Sequence, residues 1–480
     1  MNYRVIFRVL GLILLIYAGL MLLPMLVGLL YGESVLPMLL PAAAAGLAGG
    51  GLFLIKPKSK TLVTRDGFVI VGLGWILISL FGALPFILSG SMQNFSDALF
   101  EAASGLTTTG ASVLQDFDGM PRGVMFWRIF THWIGGMGVL VFLMAVLPMS
   151  GEYSMHIMRA EVPGPTVGKL VPRIRNTARI LYLIYIALTV VEAVILRCMG
   201  MTLYDAVLHA CSTAGTGGFS TMPNSITGFH SRGIETVITV FMILFGINFN
   251  LYYLILVGSV RKALMNEELH VFLLMILASV GIISVNLVHA GIMDLSGAVH
   301  SAFFNVGAIV STTGFGTDDF TQWPEICKWV LILLMFCGGC AGSTGGGLKL
   351  SRIMIILKSA WAELQRISRP RSVTGIRMDG QRVSDGTVRA TCQFVLIYAV
   401  LLLLFSLLLS LDNVDIATAF TAALSSLSNV GPGMTSAIGP AGGYAFFSSG
   451  SKLILAFAML LGRLEIYPLL LLFIPRTWRR

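Results

Sequence analysis

Apolar residues run along this chain in blocks of about 20 or more, the length a helix needs to cross a hydrocarbon layer of about 30 Å, with short polar gaps between them. The blocks predict spans at residues 5–30, 35–55, 68–90, 124–148, 180–200, 234–258, 268–291, 326–357, 391–411 and 452–474. Inside each of the last four pairs lies a shorter apolar stretch, too brief to cross, that runs into glycine, serine and threonine. These stretches read as re-entrant segments. Non-helical backbone at membrane depth persists only where protein buries it or where it lines a water-filled path.

The order span, short stretch, Gly-centred loop, span thus recurs four times, and such periodicity governs the reading of everything else. Aligned on Gly110, Gly218, Gly314 and Gly431, the residue twelve earlier is Ala98, Ala206, Ala302 or Ala419. Six earlier stands Ser104, Ser212, Ala308 or Ser425, and two earlier Thr108, Thr216, Thr312 or Asn429. Glycine packing between helices is the bland explanation for any one loop; three columns in register point to a duplicated unit. The predicted fold class is an all-α polytopic membrane protein with four pseudo-symmetric repeats of span, pore helix, filter loop and span around one pore. Two N-terminal transmembrane helices fall in residues 1–62, and the repeats occupy 63–155, 156–265, 266–372 and 373–480.

Composition agrees: 56% of residues are hydrophobic and 11% charged, against about 25% charged in soluble domains, which leaves no room for a large soluble domain. Val9 to Leu30 follows Arg4 and Arg8 as a signal peptide would, but it is too long for a cleaved apolar core and a second span follows directly, so it reads as a retained helix. The net charge of +9 follows topology rather than a nucleic-acid stripe. Lys56, Lys58, Lys60 and Arg65, then Arg159 to Arg179, Arg261 and Lys262, Lys358 to Arg389, and Arg476, Arg479 and Arg480 fill alternate gaps. Asp97, Glu101, Asp116, Asp118, Asp294, Asp318, Asp319 and Glu325 mark the opposite side. The positive-inside bias then puts both termini in the cytoplasm, and membrane lipid, not nucleic acid, is the expected surroundings.

A dehydrated monovalent cation needs several oxygens in place of water, and rings of backbone carbonyls supply them. Glycine at a loop apex permits φ > 0 at little steric cost, and a short helix ending at the axis adds partial negative charge. The candidate ligands are Thr108, Thr109 and Gly110; Thr216, Gly217 and Gly218; Thr312, Thr313 and Gly314; and Asn429, Val430 and Gly431.

These residues carry a family resemblance. Thr107–Gly110, Gly217–Thr221, Ser311–Thr317 and Asn429–Gly433 resemble the filters of Trk/Ktr/HKT potassium transporters. So do Trp133–Gly138 after the first loop and Gly338–Gly347 after the third. The likeness covers nearly the whole chain and implies potassium (and rubidium) uptake across a bacterial inner membrane, with potassium bound at the residues just named. It also implies a homodimer with one pore per protomer and a cytoplasmic nucleotide-binding regulatory subunit of the TrkA type, no nucleotide being bound by this chain itself. Members with serine at the first filter glycine favour sodium, so Gly110 implies potassium. The loops differ among repeats, notably at Pro432, so perfect fourfold geometry is not expected.

Two features suggest a gate. Gly338, Gly339, Gly342, Gly345, Gly346 and Gly347 interrupt a predicted span, since each glycine costs about 1 kcal/mol in a helix relative to alanine. The resemblance implies that this segment obstructs the pore from below; a kink that merely fits its neighbours is the alternative. Arg463 lies mid-span, where an unpaired charge costs about 2.5 kcal/mol or more, and Glu465 is not on its helical face. A pore-facing constriction is favoured over a partnered structural role, with Lys349, which could instead snorkel to the interface, as a companion.

Other chemistry does not assemble. Gly342–Lys349 resembles a phosphate loop, but its lysine is one place late and Leu350 replaces the hydroxyl residue. Cys337 and Cys340 have redox spacing without a βαβ context. His132 reads as a packing residue, and no nucleophile or metal cluster indicates an enzyme. The competing transport mechanism is a proton- or sodium-coupled secondary transporter, whose fold would show two inverted repeats rather than four of one orientation.

Overall fold

The computed structural model describes residues 1–56, 63–138, 174–369 and 375–478. The expected extension of the first repeat's second span to residue 148, the boundary at 155/156 and the basic residues Lys58, Lys60, Arg159, Lys169, Arg173, Arg479 and Arg480 lie outside the described residues.

Helices α1 (Tyr3–Leu30) and α2 (Leu36–Phe53) form the N-terminal pair. They cross at two glycines: a Cβ on Gly11 would lie 2.6 Å from the Gly49 carbonyl oxygen, and one on Gly49 would lie 2.8 Å from that of Gly11, so small residues set the approach. The first spans of the repeats are α3 (Thr64–Leu88), α6 (Ile174–Cys198), α10 (Glu267–His289) and α14 (Asp385–Leu409). The short stretches are helices α4 (Phe95–Leu106), α7 (Leu203–Ala214), α11 (Leu295–Val310) and α15 (Ile416–Ser428). The side chains of Thr202, Asp294 and Asp415 cap the last three by accepting the amides of Asp205, Gly297 and Thr418. Among the described residues the only strands are the two-residue pair Arg377–Met378 and Gln381–Arg382.

The second spans of the last three repeats depart from the sequence reading. Helices α5 (Arg122–Gly136), α8 (Arg232–Gly246), α12 (Glu325–Cys337) and α16 (Ser449–Arg463) are all shorter than a full crossing. The block 234–258 is two helices, α8 and α9 (Phe249–Leu256), meeting at 87°. The block 452–474 bends by 118° after Arg463, at Glu465 and Ile466 with φ of 53° and 67°. The third repeat breaks, as its glycines predict, between α12 and α13 (Leu350–Ser368). Packing explains the breaks that hydropathy hides. A Cβ on Gly246 would lie 3.2 Å from the Phe272 ring and 3.5 Å from Ser311 Cβ, and one on Gly462 would overlap the Leu427 carbonyl oxygen and sit 2.8 Å from Asn429 Oδ1, so each helix stops where it meets the C-terminal end of a re-entrant helix. Asn248 then starts α9 by accepting the Asn250 amide (3.0 Å). Six described helices are long and apolar enough to span, or eight if each bent pair counts as one.

Candidate functional site: four loops around one axis

Each re-entrant helix ends in the same way. The amides of Thr109, Gly217, Thr313 and Val430 donate to the carbonyls of Ser104, Ser212, Ala308 and Ser425 at 2.8–2.9 Å. The preceding amides, of Thr108, Thr216, Thr312 and Asn429, donate to Gly105, Thr213, Ile309 and Ser426. This is a Schellman cap, and it places the residue two before each apex glycine in the left-handed region, at φ 56°, 52°, 63° and 55°. Asparagine tolerates that conformation; threonine, β-branched, pays about 1–2 kcal/mol for it. Strain repeated at three equivalent positions marks a functional constraint. After one intervening residue, Gly110, Gly218, Gly314 and Gly431 return to positive φ, at 81°, 81°, 75° and 106°.

The four apices close on one another. A Cβ on Gly110 would overlap the carbonyl oxygen of Gly217, one on Gly218 that of Thr313, and one on Gly314 that of Val430. On Gly431 it would lie 2.6 Å from the carbonyl oxygen of Thr109. The partner is always the residue before the next repeat's glycine, and the fourth returns to the first. All twelve residues proposed from sequence as cation ligands are therefore brought together. Their hydroxyls are largely engaged within the protein: Thr109 Oγ1 lies 2.8 Å from Thr107 Oγ1, and Thr313 Oγ1 2.7 Å from Ser311 Oγ. The oxygens left to a cation are mainly carbonyls. The fourth repeat is tied in differently. Asn429 Nδ2 donates to Thr109 Oγ1 (3.0 Å) and to the Met459 carbonyl (2.9 Å), while the Tyr444 hydroxyl donates to the Gly431 carbonyl (2.8 Å).

The glycine-rich segment 338–349 lies against the caps of the third and fourth re-entrant helices. The Gly346 amide donates to Thr312 Oγ1 (2.6 Å) and the Gly347 amide to the Ser428 carbonyl (2.8 Å). A Cβ on Gly345 would be 2.8 Å from the Ser311 carbonyl oxygen, and one on Gly346 would overlap that of Ser428. Gly338 (φ 64°) and Gly347 (φ 76°) pack Cα to Cα, Gly339 lies against the Gly246 carbonyl, and Gly342 against Asn248. Glu268 Oε1 accepts the amides of Ala341 (2.8 Å) and Ser351 (3.1 Å), pinning both ends.

Arg463 is partnered, which sequence alone ranked second. Its guanidinium donates to the carbonyls of Thr344 (2.7 Å), Gly135 (2.5 Å) and Gly136 (2.6 Å). Lys349 is buried, at φ 71°, with Nζ donating to the Gly345 carbonyl. Glu465 accepts from Arg352 at 3.0 and 2.5 Å.

Glu101, which the sequence reading placed among the acids of an outer gap, lies instead inside α4, and with Arg128, which that reading did not single out, it braces the first two loops. Glu101 and Arg128, 0% and 2% exposed, pair at 2.6 Å. Glu101 also accepts from Ser112 Oγ (2.8 Å) and the Val113 amide (2.9 Å), and Arg128 donates to the Ser220 carbonyl (3.2 Å). The signal available was an acid in a re-entrant helix and a base in the following span of the same repeat; intramembrane charges are costly unless partnered. Glu101→Gln is expected to cost about 3–5 kcal/mol, because it strands a buried cation, and a thermal melt of the detergent-solubilised protein measures it. His132 packs as the sequence suggests: its Nδ1 lies 2.7 Å from the Gly105 carbonyl, and a Cβ on Gly217 would overlap its ring. At the mouth, the Thr418 hydroxyl and amide hold the Asp415 carboxylate below its usual pKa.

Comparison with known proteins gives a consistent result. The family described as TrkH, cation transport protein, matches residues 42–480. The chain is 37% identical over 485 residues to the Trk system potassium uptake protein TrkH of Salmonella typhimurium and 35% identical over 483 residues to TrkG of Escherichia coli, covering 100% of itself in both cases and 100% and 99% of those chains. The crystal structure of the potassium transporter TrkH from Vibrio parahaemolyticus superposes with a TM-score of 0.89 at 34% identity, covering all of both chains.

Proposed function

The chain belongs to the TrkH family of cation transport proteins, and from that premise we propose that it is the potassium-conducting subunit of a Trk-type uptake system of the bacterial inner membrane. It is a transport protein, not an enzyme. Carbonyls of the four loops replace the hydration shell of potassium or rubidium, and the C-termini of four short helices direct partial negative charge toward the ion. The observation that carries this reading is the closed ring, in which every apex glycine lies against the carbonyl before the next one. Only three of the apex glycine carbonyls are unengaged in the outermost layer, because Tyr444 takes that of Gly431. The layer of Thr109, Gly217, Thr313 and Val430 is accordingly the main binding plane.

The glycine-rich loop, latched by Arg463, acts as the gate, and the membrane potential drives uptake with about 2.3 kcal/mol per unit charge per 100 mV. Nucleotide control belongs to a cytoplasmic partner of the TrkA type, and two copies of this chain pair, each with its own pore and both termini inside. The amides of Gly346 and Gly347 are taken up by Thr312 and Ser428 and are not free to cradle a phosphate. Purified protein in liposomes under an imposed potential tests the reading. Potassium and rubidium are expected to enter rapidly and sodium and lithium at least about tenfold more slowly, which takes about 1.4 kcal/mol of discrimination; equal rates for all four ions would overturn it.

A further inference from the structure

Residues 344–347 of the glycine-rich loop are each tied down, and three of the ties go to groups outside the filter. The Thr344 carbonyl accepts from Arg463 (2.7 Å) and the Gly345 carbonyl from Lys349, while the Gly347 amide donates to the Ser428 carbonyl (2.8 Å) at the end of α15. The fourth tie enters a filter loop: the Gly346 amide donates to Thr312 Oγ1 at 2.6 Å. Both residues are buried, so without that hydroxyl the amide would be stranded away from water. Thr312 is the left-handed residue of the third loop, at φ 63°. It stands one position before Thr313, whose carbonyl oxygen lies against Gly218 in the main binding plane.

The equivalent side chains of the other repeats are engaged differently. The Thr216 hydroxyl donates to the Gly215 carbonyl (2.7 Å), Asn429 Nδ2 donates to Thr109 Oγ1 and the Met459 carbonyl, and Thr108 Oγ1 meets no partner. The third cap is also built differently. Ala308 stands where the other repeats have serine, and its carbonyl accepts the amides of both Thr313 (2.8 Å) and Gly314 (3.0 Å). One acceptor holding two successive amides makes the loop move as a unit, so a displacement at Thr312 is carried to the residues beside it. A β-branched residue keeps a left-handed φ only under constraint, and the Gly346 amide is one such constraint.

We propose that Thr312 is a positioning residue that couples the gate to the filter: by holding the Gly346 amide, its hydroxyl makes closure of the glycine-rich loop and the ion-binding form of the third filter loop favour one another. The linked sites are the Gly346 amide and the carbonyl plane of Thr109, Gly217, Thr313 and Val430; the two states are loop closed and loop open. Closure tightens the plane on a cation, and by reciprocity a cation in the plane favours closure. Opening releases Thr312, the third carbonyl loosens, and the ion leaves more readily. This rests on the filter and gate roles proposed above.

Single-channel recording in planar bilayers tests the coupling, with symmetrical potassium raised through saturation at constant ionic strength. The wild-type closed-to-open ratio is expected to rise at least about threefold, within the range of one neutral hydrogen bond. Thr312→Val keeps the shape and loses the hydroxyl; its ratio should be flat and, at saturating potassium, below that of wild type. Thr312→Ser should restore both the level and the slope. Thr108→Val places valine at a left-handed position whose hydroxyl meets no partner, and it should keep the wild-type slope. A Thr312→Val channel with the wild-type potassium dependence, or a wild type with none, would overturn the coupling, and the wild-type measurement stands whether or not the valine variant folds. Arg463→Ala separates this failure from that of the gate reading. If it raises the open fraction while the wild-type ratio ignores potassium, the loop is a gate without this coupling. If neither Arg463→Ala nor Thr312→Val changes the open fraction, the loop is not the gate and the coupling falls with it.

Discussion

Gly218→Ala is expected to lower potassium flux by at least about tenfold and to erode discrimination against sodium. The added methyl overlaps the Thr313 carbonyl oxygen at a residue whose φ is +81°, so the second loop must move or the third must surrender a ligand. One lost ligand-grade interaction is worth about 1–3 kcal/mol, and each 1.4 kcal/mol is a factor of ten. Backbone strain alone does not account for the expected loss, and Gly90→Ala separates the two effects. Gly90 has a φ of +74° with nothing within 4 Å of an added Cβ, so it carries the same conformational cost away from the axis and should leave flux close to wild type. Both are read by voltage-driven ion uptake into liposomes matched for protein content. A Gly218→Ala protein that conducts like Gly90→Ala would show that the four loops do not share one pathway.

Much of this was legible because four copies of one unit sit in a single chain. The columns at Ser104 and Thr108 and their counterparts are the acceptor and the left-handed residue of one capping motif, so register in sequence became register in space. The third span's break was equally visible, since six glycines within ten residues leave little helical propensity. The breaks after Gly246 and Arg463 were hidden, because each lies in a block apolar enough overall to read as a span and the cause is packing against the C-terminal end of a re-entrant helix, the third repeat's at Gly246 and the same repeat's at Gly462. Glu101 and Arg128 are 27 residues apart and meet only once α4 and α5 pack; no local pattern announces a pair made by tertiary structure. For Arg463, helical-face arguments excluded Glu465 correctly, yet they considered only side-chain partners. Carbonyls freed where α5 ends and in the middle of the glycine-rich loop had no signature in the apolar pattern.

Arg463→Ala is expected to raise potassium flux by about tenfold, chiefly by increasing the fraction of time the pore is open. The guanidinium joins the Thr344 carbonyl of the glycine-rich loop to the Gly135 and Gly136 carbonyls at the end of α5, so it spans the floor from the third repeat to the first. Hydrogen bonds from a charged donor are worth about 1.5–3 kcal/mol each. Losing the one to Thr344 shifts a closed-to-open equilibrium by about a factor of ten, provided the open loop leaves that carbonyl solvated. Arg463→Lys should fall between, because an ammonium has no planar fork to hold two sites at once. Single-channel recording distinguishes the latch from a purely electrostatic constriction. A latch changes open probability at constant unitary conductance, whereas a charge in the permeation path changes unitary conductance, steeply at low salt. Unchanged or reduced flux from well-folded Arg463→Ala protein would remove Arg463 from the gate altogether and leave it as a brace between α16 and α5.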